Sequence, residues 1–307
     1  MTAPVAESQA AIAAGSQSFA AAARLMPAGI RDDTVMLYAW CRHADDVVDG
    51  QVLGHAADAD SGDPSERLAL LKARTLEALH GTGPLDAPFA ALRTVARRHD
   101  FPDRWPMDLI DGFAMDVAGR TYRTLNDTLD YSYHVAGVVG VMMARVMGVR
   151  EPAVLDRACD LGLAFQLTNI ARDVIDDARI GRSYLPQDWL DEAGAAVGDD
   201  IPSSALYGVI LRLLDVAEPY YASALAGLPA LPLRCAWSIA ASARIYRAIG
   251  TRIRTGGPDA YRRRIGTTGI AKAGLAARAM ADAGMSRVRA PASPRDGLWT
   301  RPRARDS

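Results

Sequence analysis

A chain of 307 residues with half its positions apolar can bury a large core, as one big domain or two small ones. Its 35 basic and 36 acidic side chains nearly cancel, so no overall field points to nucleic acid. Cys41, Cys159 and Cys235 stand far apart in apolar stretches with no CxxC pair. They read as reduced core residues of a cytosolic protein, which argues against a disulfide framework or a zinc site.

In chain order, Met1 to Gly15 is Ala-rich, carries Glu7 and lacks a basic start, so it does not read as a signal peptide. Residues 1–14 are expected to be a flexible terminus. Helical periodicity then predicts helices at about Ser18–Met26, Asp32–Asp49, Pro64–His80, Asp86–His99, Pro106–Val117 and Leu125–Met147. It continues at about Pro152–Asp177, Ser204–Leu225, Pro232–Arg254 and Gly269–Ala283. Proline opens four of these, where its fixed φ and missing N–H are tolerated. The longest apolar run, Val135 to Val149, is interrupted by Arg145 and too short to span a bilayer comfortably. The reading is an all-α single domain over 15–285, followed by a disordered, basic, Pro-rich tail over 286–307. At most, the protein touches a membrane from outside, the tail arginines being one candidate for contact with anionic headgroups.

Two segments carry chemistry. In Tyr38-Ala-Trp-Cys-Arg-His-Ala-Asp-Asp-Val-Val-Asp49, helical spacing stacks Tyr38, Arg42, Asp45 and Asp49 on one face. In Phe165-Gln-Leu-Thr-Asn-Ile-Ala-Arg-Asp-Val-Ile-Asp-Asp177, it stacks Gln166, Asn169, Asp173 and Asp177, with Arg172 beside them. Aspartates four apart repel, so two such pairs in apolar helices call for a cation. Carboxylates are hard donors suited to Mg²⁺, which is usually completed by substrate phosphates, and arginine binds phosphate bidentately. One DxxxD on a helix is ordinarily a solvated face; two copies, each with an arginine, reverse that judgement. There is no GxSxG, HExxH, GxGxxG or P-loop, and His43 and His134 read as helix-packing residues.

With Gly181-Arg-Ser-Tyr-Leu-Pro186 after the second segment, Tyr131-Ser-Tyr-His-Val-Ala-Gly-Val-Val-Gly140 between the two, and Ser16-Gln-Ser-Phe19 near the start, the chain resembles the squalene and phytoene synthase family. The likeness runs from about Gly15 to about Ala283, and around Trp40–Asp49 and Tyr131–Val149 it is nearest to bacterial members of the phytoene branch. The resemblance implies an isoprenoid-synthase-type helical bundle with a central reaction cavity. It implies Mg²⁺ (with Mn²⁺ able to substitute) on Asp45, Asp49, Asp173 and Asp177, diphosphate contacts from Ser18, Arg42, Gln166, Asn169, Arg172 and Arg264, and chamber tyrosines at Tyr38, Tyr131 and Tyr246.

The implied reaction is the head-to-head condensation of two geranylgeranyl diphosphates to phytoene, without NADPH. Squalene or dehydrosqualene synthesis from farnesyl diphosphate, or a non-catalytic assembly role, are the alternatives. Asp46 and Asp176 read as outer-shell or solvated acids, and Arg262–Arg264 as a solvated cluster. Gly137 and Gly140 leave two readings open, close helix packing or shaping of the chamber. A cytoplasmic protein, peripheral at most to the inner membrane face, is the expected setting.

Overall fold

The computed structural model describes residues 22–49, 51–52, 55–56, 62–198, 200–288 and 294–303. The expected flexible start, Ser18 and the first turn of the opening helix, 18–21, lie outside the described residues. The elements are α1 (Ala28–Asp49), a two-residue antiparallel strand pair Gln51–Val52 with His55–Ala56, α2 (Pro64–His80), α3 (Ala87–His99), α4 (Arg104–Val117) and α5 (Leu125–Ser132). A π-helical turn, Tyr133–Gly137, leads into α6 (Val138–Val146), and α7 (Pro152–Arg179), α8 (Gln187–Ala193), α9 (Ser204–Ala226), α10 (Leu233–Gly256) and α11 (Gly269–Met285) follow.

Local chemistry sets the boundaries. Asp63 accepts from the Ser65 N–H at the head of α2, and Thr124 and Asp127 close a reciprocal capping box at the head of α5. Ser203 and Thr268 cap α9 and α11 in the same way. Beyond the opening helix, the expected helices are present with nearly the expected limits, apart from two departures. The stretch predicted as one helix over Leu125–Met147 contains the π-helical turn, and the short α8 lies where no helix is expected. One turn with an extra residue leaves the apolar period almost unchanged, so periodicity cannot register it.

α7 is the central helix and packs against α5, the π-helical turn, α6, α9 and α10. It can come very close to the turn because of its glycine. A Cβ on Gly162 would stand 2.3 Å from the Ala136 carbonyl oxygen, and one on Gly140 would stand 2.4 Å from that of Ala158. Gly140 and Gly162 also line the central cavity, so both open readings of the Gly-rich helix hold for Gly140. Cys41, Cys159 and Cys235 are free thiols, and burial raises the pKa of each.

The tail departs from expectation. Its described part, 294–303, is docked: Arg295 and Arg301 reach the buried carboxylates of Asp160 and Asp156 at 2.7 Å. Composition marked this stretch as having little to bury. What holds it is long-range charge pairing, which composition does not register.

Candidate active site

A cavity of about 470 Å³ runs through the middle of the bundle. Its walls are Leu109, Phe113, Val139, Met143, Leu161 and Phe165 among other apolar side chains, with Tyr38 and Tyr246 as aromatic faces. The Tyr246 ring stacks on Phe165 with centroids 4.1 Å apart, which turns two residues of different helices into one flat wall. Burial pushes the Tyr246 hydroxyl above its ordinary pKa, so it stays protonated.

At one end this chamber meets a second, polar cavity of about 300 Å³. Asp45, Phe113, Asp116, Tyr131, Gln166 and Asn169 line both, so they form the throat between them. Beyond the throat, Asp173, Asp177, Arg182 and Tyr184 complete the polar mouth. α1 supplies Asp45 and α7 supplies Gln166, Asn169, Asp173 and Asp177, so the two aspartate-bearing helices face each other across it as their spacing predicts. Asp49 is the last residue of α1.

The electrostatics of the mouth suit a cation. Burial, and then the charge of Asp173 four residues earlier, raise the Asp177 pKa to about 7. Asn169 donates to Gln166 Oε1 at 3.3 Å while its own buried Oδ1 has no hydrogen-bond partner. An orphan acceptor and a carboxylate pair in mutual repulsion both fit a divalent ion or the donors of its water shell. Among the described residues, no three carboxylates converge closely enough to hold an ion by themselves. Carboxylate and amide oxygens are hard donors, and they suit an ion such as Mg²⁺ that shares its coordination with substrate oxygens.

The arginines are held back in this form. Arg42 donates to Asp45 at 3.0 Å and to Asp46 at 2.8 Å, and its buried Nε has no hydrogen-bond partner. Asp46, read as outer-shell or solvated, is buried and serves as the anchor of Arg42. Arg172 Nε donates to Asp173 at 2.6 Å, and its guanidinium lines neither cavity. Burial works against the Arg172 charge, but the bond to Asp173 and nearby negative charge outweigh it and raise its pKa. Arg264 is exposed and lines neither cavity, so the structure does not bring it into the site. Asp176 is exposed and paired with Arg179, as a solvated acid should be.

Three site residues escaped sequence reasoning: Asp116, Arg182 and Tyr184. Asp116 accepts from the hydroxyls of Tyr131 and Tyr184, each at 3.0 Å, and those two rings stack at 4.6 Å. Burial first, and then the Asp116 charge, hold the Tyr131 pKa well above its usual value. The segment after α7 is returned to the mouth by a turn at Gly181 (φ 74°) and by the Thr128 hydroxyl, which donates to the Tyr184 carbonyl at 2.9 Å. Arg182 and Tyr184 belong to Gly181–Pro186, one of the segments that carry the family resemblance.

The squalene/phytoene synthase family model matches residues 12–270, which include both aspartate helices. The chain belongs to the squalene/phytoene synthase family. It is 70% identical to a 15-cis-phytoene synthase of Paracoccus sp. (strain N81106 / MBIC 01143), over 95% of this chain and 96% of the relative. It is 48% identical to the 15-cis-phytoene synthase of Pantoea ananas, over 95% and 96%. Among solved structures, a dehydrosqualene synthase in complex with ligand superposes with a TM-score of 0.79 at 26% identity, covering 91% of this chain and 95% of that one. The squalene synthase HpnC from Alicyclobacillus acidocaldarius gives 0.72 at 22% identity, covering 84% and 94%, a likeness of fold. Family membership makes the chain a prenyl-transferring enzyme of isoprenoid biosynthesis, and the high-identity relatives favour the phytoene branch over the squalene one.

Proposed function

We propose that the chain joins two molecules of geranylgeranyl diphosphate head to head to give 15-cis-phytoene, releasing two diphosphates and two protons. The observation that carries this reading is the junction of a carboxylate-lined mouth with a largely apolar chamber: one end suits diphosphate, the other a long prenyl tail. Asp45, Asp49, Asp173 and Asp177 would hold Mg²⁺ (or Mn²⁺), which supplies Lewis-acid neutralisation of the departing diphosphate. Arg42 and Arg182 line the cavities, and a guanidinium there can turn to phosphate oxygens once substrate competes for its carboxylate partners. Ser18 and Arg172 remain proposed diphosphate contacts. Gln166 and Asn169 orient oxygens at the throat.

Loss of diphosphate from one substrate leaves an allylic cation in the chamber. The double bond of the second substrate attacks it, and loss of a proton from the resulting cation closes a cyclopropyl diphosphate, prephytoene diphosphate. Ionisation of that species, rearrangement and loss of a proton complete the hydrocarbon. Water would trap each cation as an alcohol, so apolar walls and the faces of Tyr38, Tyr131 and Tyr246 must exclude it while offering π-density to the charge. Asp116 fixes the Tyr131 and Tyr184 rings at the throat.

The test is incubation with farnesyl and geranylgeranyl diphosphates separately, with Mg²⁺ and no nicotinamide, followed by analysis of the hydrocarbon. A C40 product from geranylgeranyl diphosphate alone is expected. An absolute requirement for NADPH would move the assignment to squalene synthesis. We place the protein in the cytoplasm with a peripheral membrane contact: no helix among the described residues is long and apolar enough to cross a bilayer, and α11 exposes Ile270, Met280 and Met285 near Arg278 and Arg287.

A further inference from the structure

Asp156 and Asp160 are 2% and 0% exposed, one helical turn apart on α7, and neither lines a cavity. At 3.6 residues per turn they lie on the side of α7 nearly opposite Ala158, Leu161, Gly162 and Phe165, which wall the chamber. Two adjacent buried carboxylates need counter-charges, and these come from the end of the chain. Arg295 grips Asp160 with two hydrogen bonds, of 2.7 and 2.8 Å, and its Nη1 lies 3.6 Å from Asp156. Arg301 donates to Asp156 at 2.7 Å, and Arg303 donates to the second oxygen of the same carboxylate.

The same segment holds two further elements. The Trp299 ring packs on Tyr133 of the π-helical turn with centroids 5.4 Å apart, and the Trp299 N–H donates to the Tyr220 hydroxyl of α9 at 3.1 Å. Ser223 of α9 donates to Asp160, so α7 and α9 share one carboxylate with the tail. The inner faces of these three elements wall the chamber through Gly162 on α7, Ala136 on the turn and Ala224 on α9. Between α7 and the turn the backbones are already in contact at Gly162 and Ala136, so the wall has no slack to absorb a shift. A buried ion network is weak evidence for stability but well suited to fixing register.

We propose that residues 294–303 are a positioning clasp that keeps the chamber closed to water during the reaction by fixing the spacing of α7, the π-helical turn and α9. The clasp rests on the carbocation chemistry proposed above. It predicts a change in product partition rather than a simple loss of rate. The decisive variant ends at Ser293 and carries Asp156→Asn and Asp160→Asn, so that no buried charge is left without its partner. Trp299→Ala, which keeps the arginine pairs, is the milder companion should truncation prevent folding.

With geranylgeranyl diphosphate and Mg²⁺, the ratio of prenyl alcohol to hydrocarbon should rise about tenfold in the truncated variant and about threefold in Trp299→Ala, as expected for a sub-ångström loss of fit. Helical circular dichroism should be retained. Amide exchange of residues 133–140 should quicken in both variants. An unchanged alcohol ratio in a folded variant would overturn the clasp. Should the intact chain make no hydrocarbon, the proposed reaction fails by itself, and unchanged exchange at 133–140 would still decide against the clasp.

Discussion

Asp173 and Asp177 stand one turn apart on α7, and their repulsion is the most direct sign of what the mouth binds. Because burial and Asp173 lift the Asp177 pKa from an ordinary 3.8 to about 7, the folded protein binds more protons than the unfolded chain between roughly pH 4 and 7. Stability from this carboxyl is therefore complete below pH 4 and lost as pH rises through 7. Metal-free protein should show a melting temperature that falls from pH 5 to pH 8, a slope that Asp177→Asn flattens. Added Mg²⁺ should restore more at pH 8 than at pH 5, and equal effects at both would remove the cation site. Asp173→Ala relieves the same repulsion but also strips Arg172 of its partner, so it should keep its helical circular dichroism while cutting product formation at least about a hundredfold, the scale for losing electrostatic support of the departing diphosphate. Near-normal turnover would discard the site. These aspartates were legible because each pair sits on one helix at a fixed spacing. Asp116 was not: it is a single acid on α4, and its partners Tyr131 and Tyr184 come from 15 and 68 residues away.

Along the elements, sequence reading succeeded where one helix explains itself and failed where two helices define the geometry. α2 matches its expected limits because a capped proline start and a glycine stop are both local. The π-helical turn and the backbone contact between α6 and α7 are relations between segments, so Gly140 could not be resolved in advance. Its present position makes a clear expectation. Gly162→Ala places a Cβ against backbone on the turn, with no flexible side chain to yield, and should cost about 1–3 kcal/mol by overpacking, read as a lowered denaturation midpoint. An unchanged midpoint would mean the two helices can part freely. Ala23, which is buried and lines the chamber, tests the tail end of the cavity. Ala23→Phe should depress geranylgeranyl turnover far more than farnesyl turnover, because the added ring occupies space only the longer tail needs. Equal losses on both substrates would assign Ala23 to packing alone.

Across the whole molecule, the charge balance that argued against nucleic acid also hides local asymmetry. Ile270, Met280, Met285 and Val288 are exposed at or just beyond α11, with Arg278 and Arg287 between them. Such a surface should bind vesicles containing anionic lipid more tightly than neutral ones, and Ile270→Asp with Val288→Asp should weaken sedimentation with either. Retention of full binding would place the contact elsewhere. The tail shows the opposite error of scale: of three arginines that look like a solvated basic end, Arg295 and Arg301 are drawn inward by the two acids of α7, and Arg303 pairs with one of them from the surface.

The division of the central space into a polar mouth and an apolar chamber also has a consequence for leaving. In the proposed reaction substrate is gripped by its charged end, and every charged end departs as diphosphate. The hydrocarbon that remains has no group for Asp45, Asn169 or Arg182 to hold or to expel, and water offers it no destination. Its escape is a partition between two oils, the chamber and whatever apolar phase lies outside. In buffer alone the enzyme should complete one rapid turnover and then stall on its own product, while detergent or vesicles lengthen the steady phase without altering the first burst.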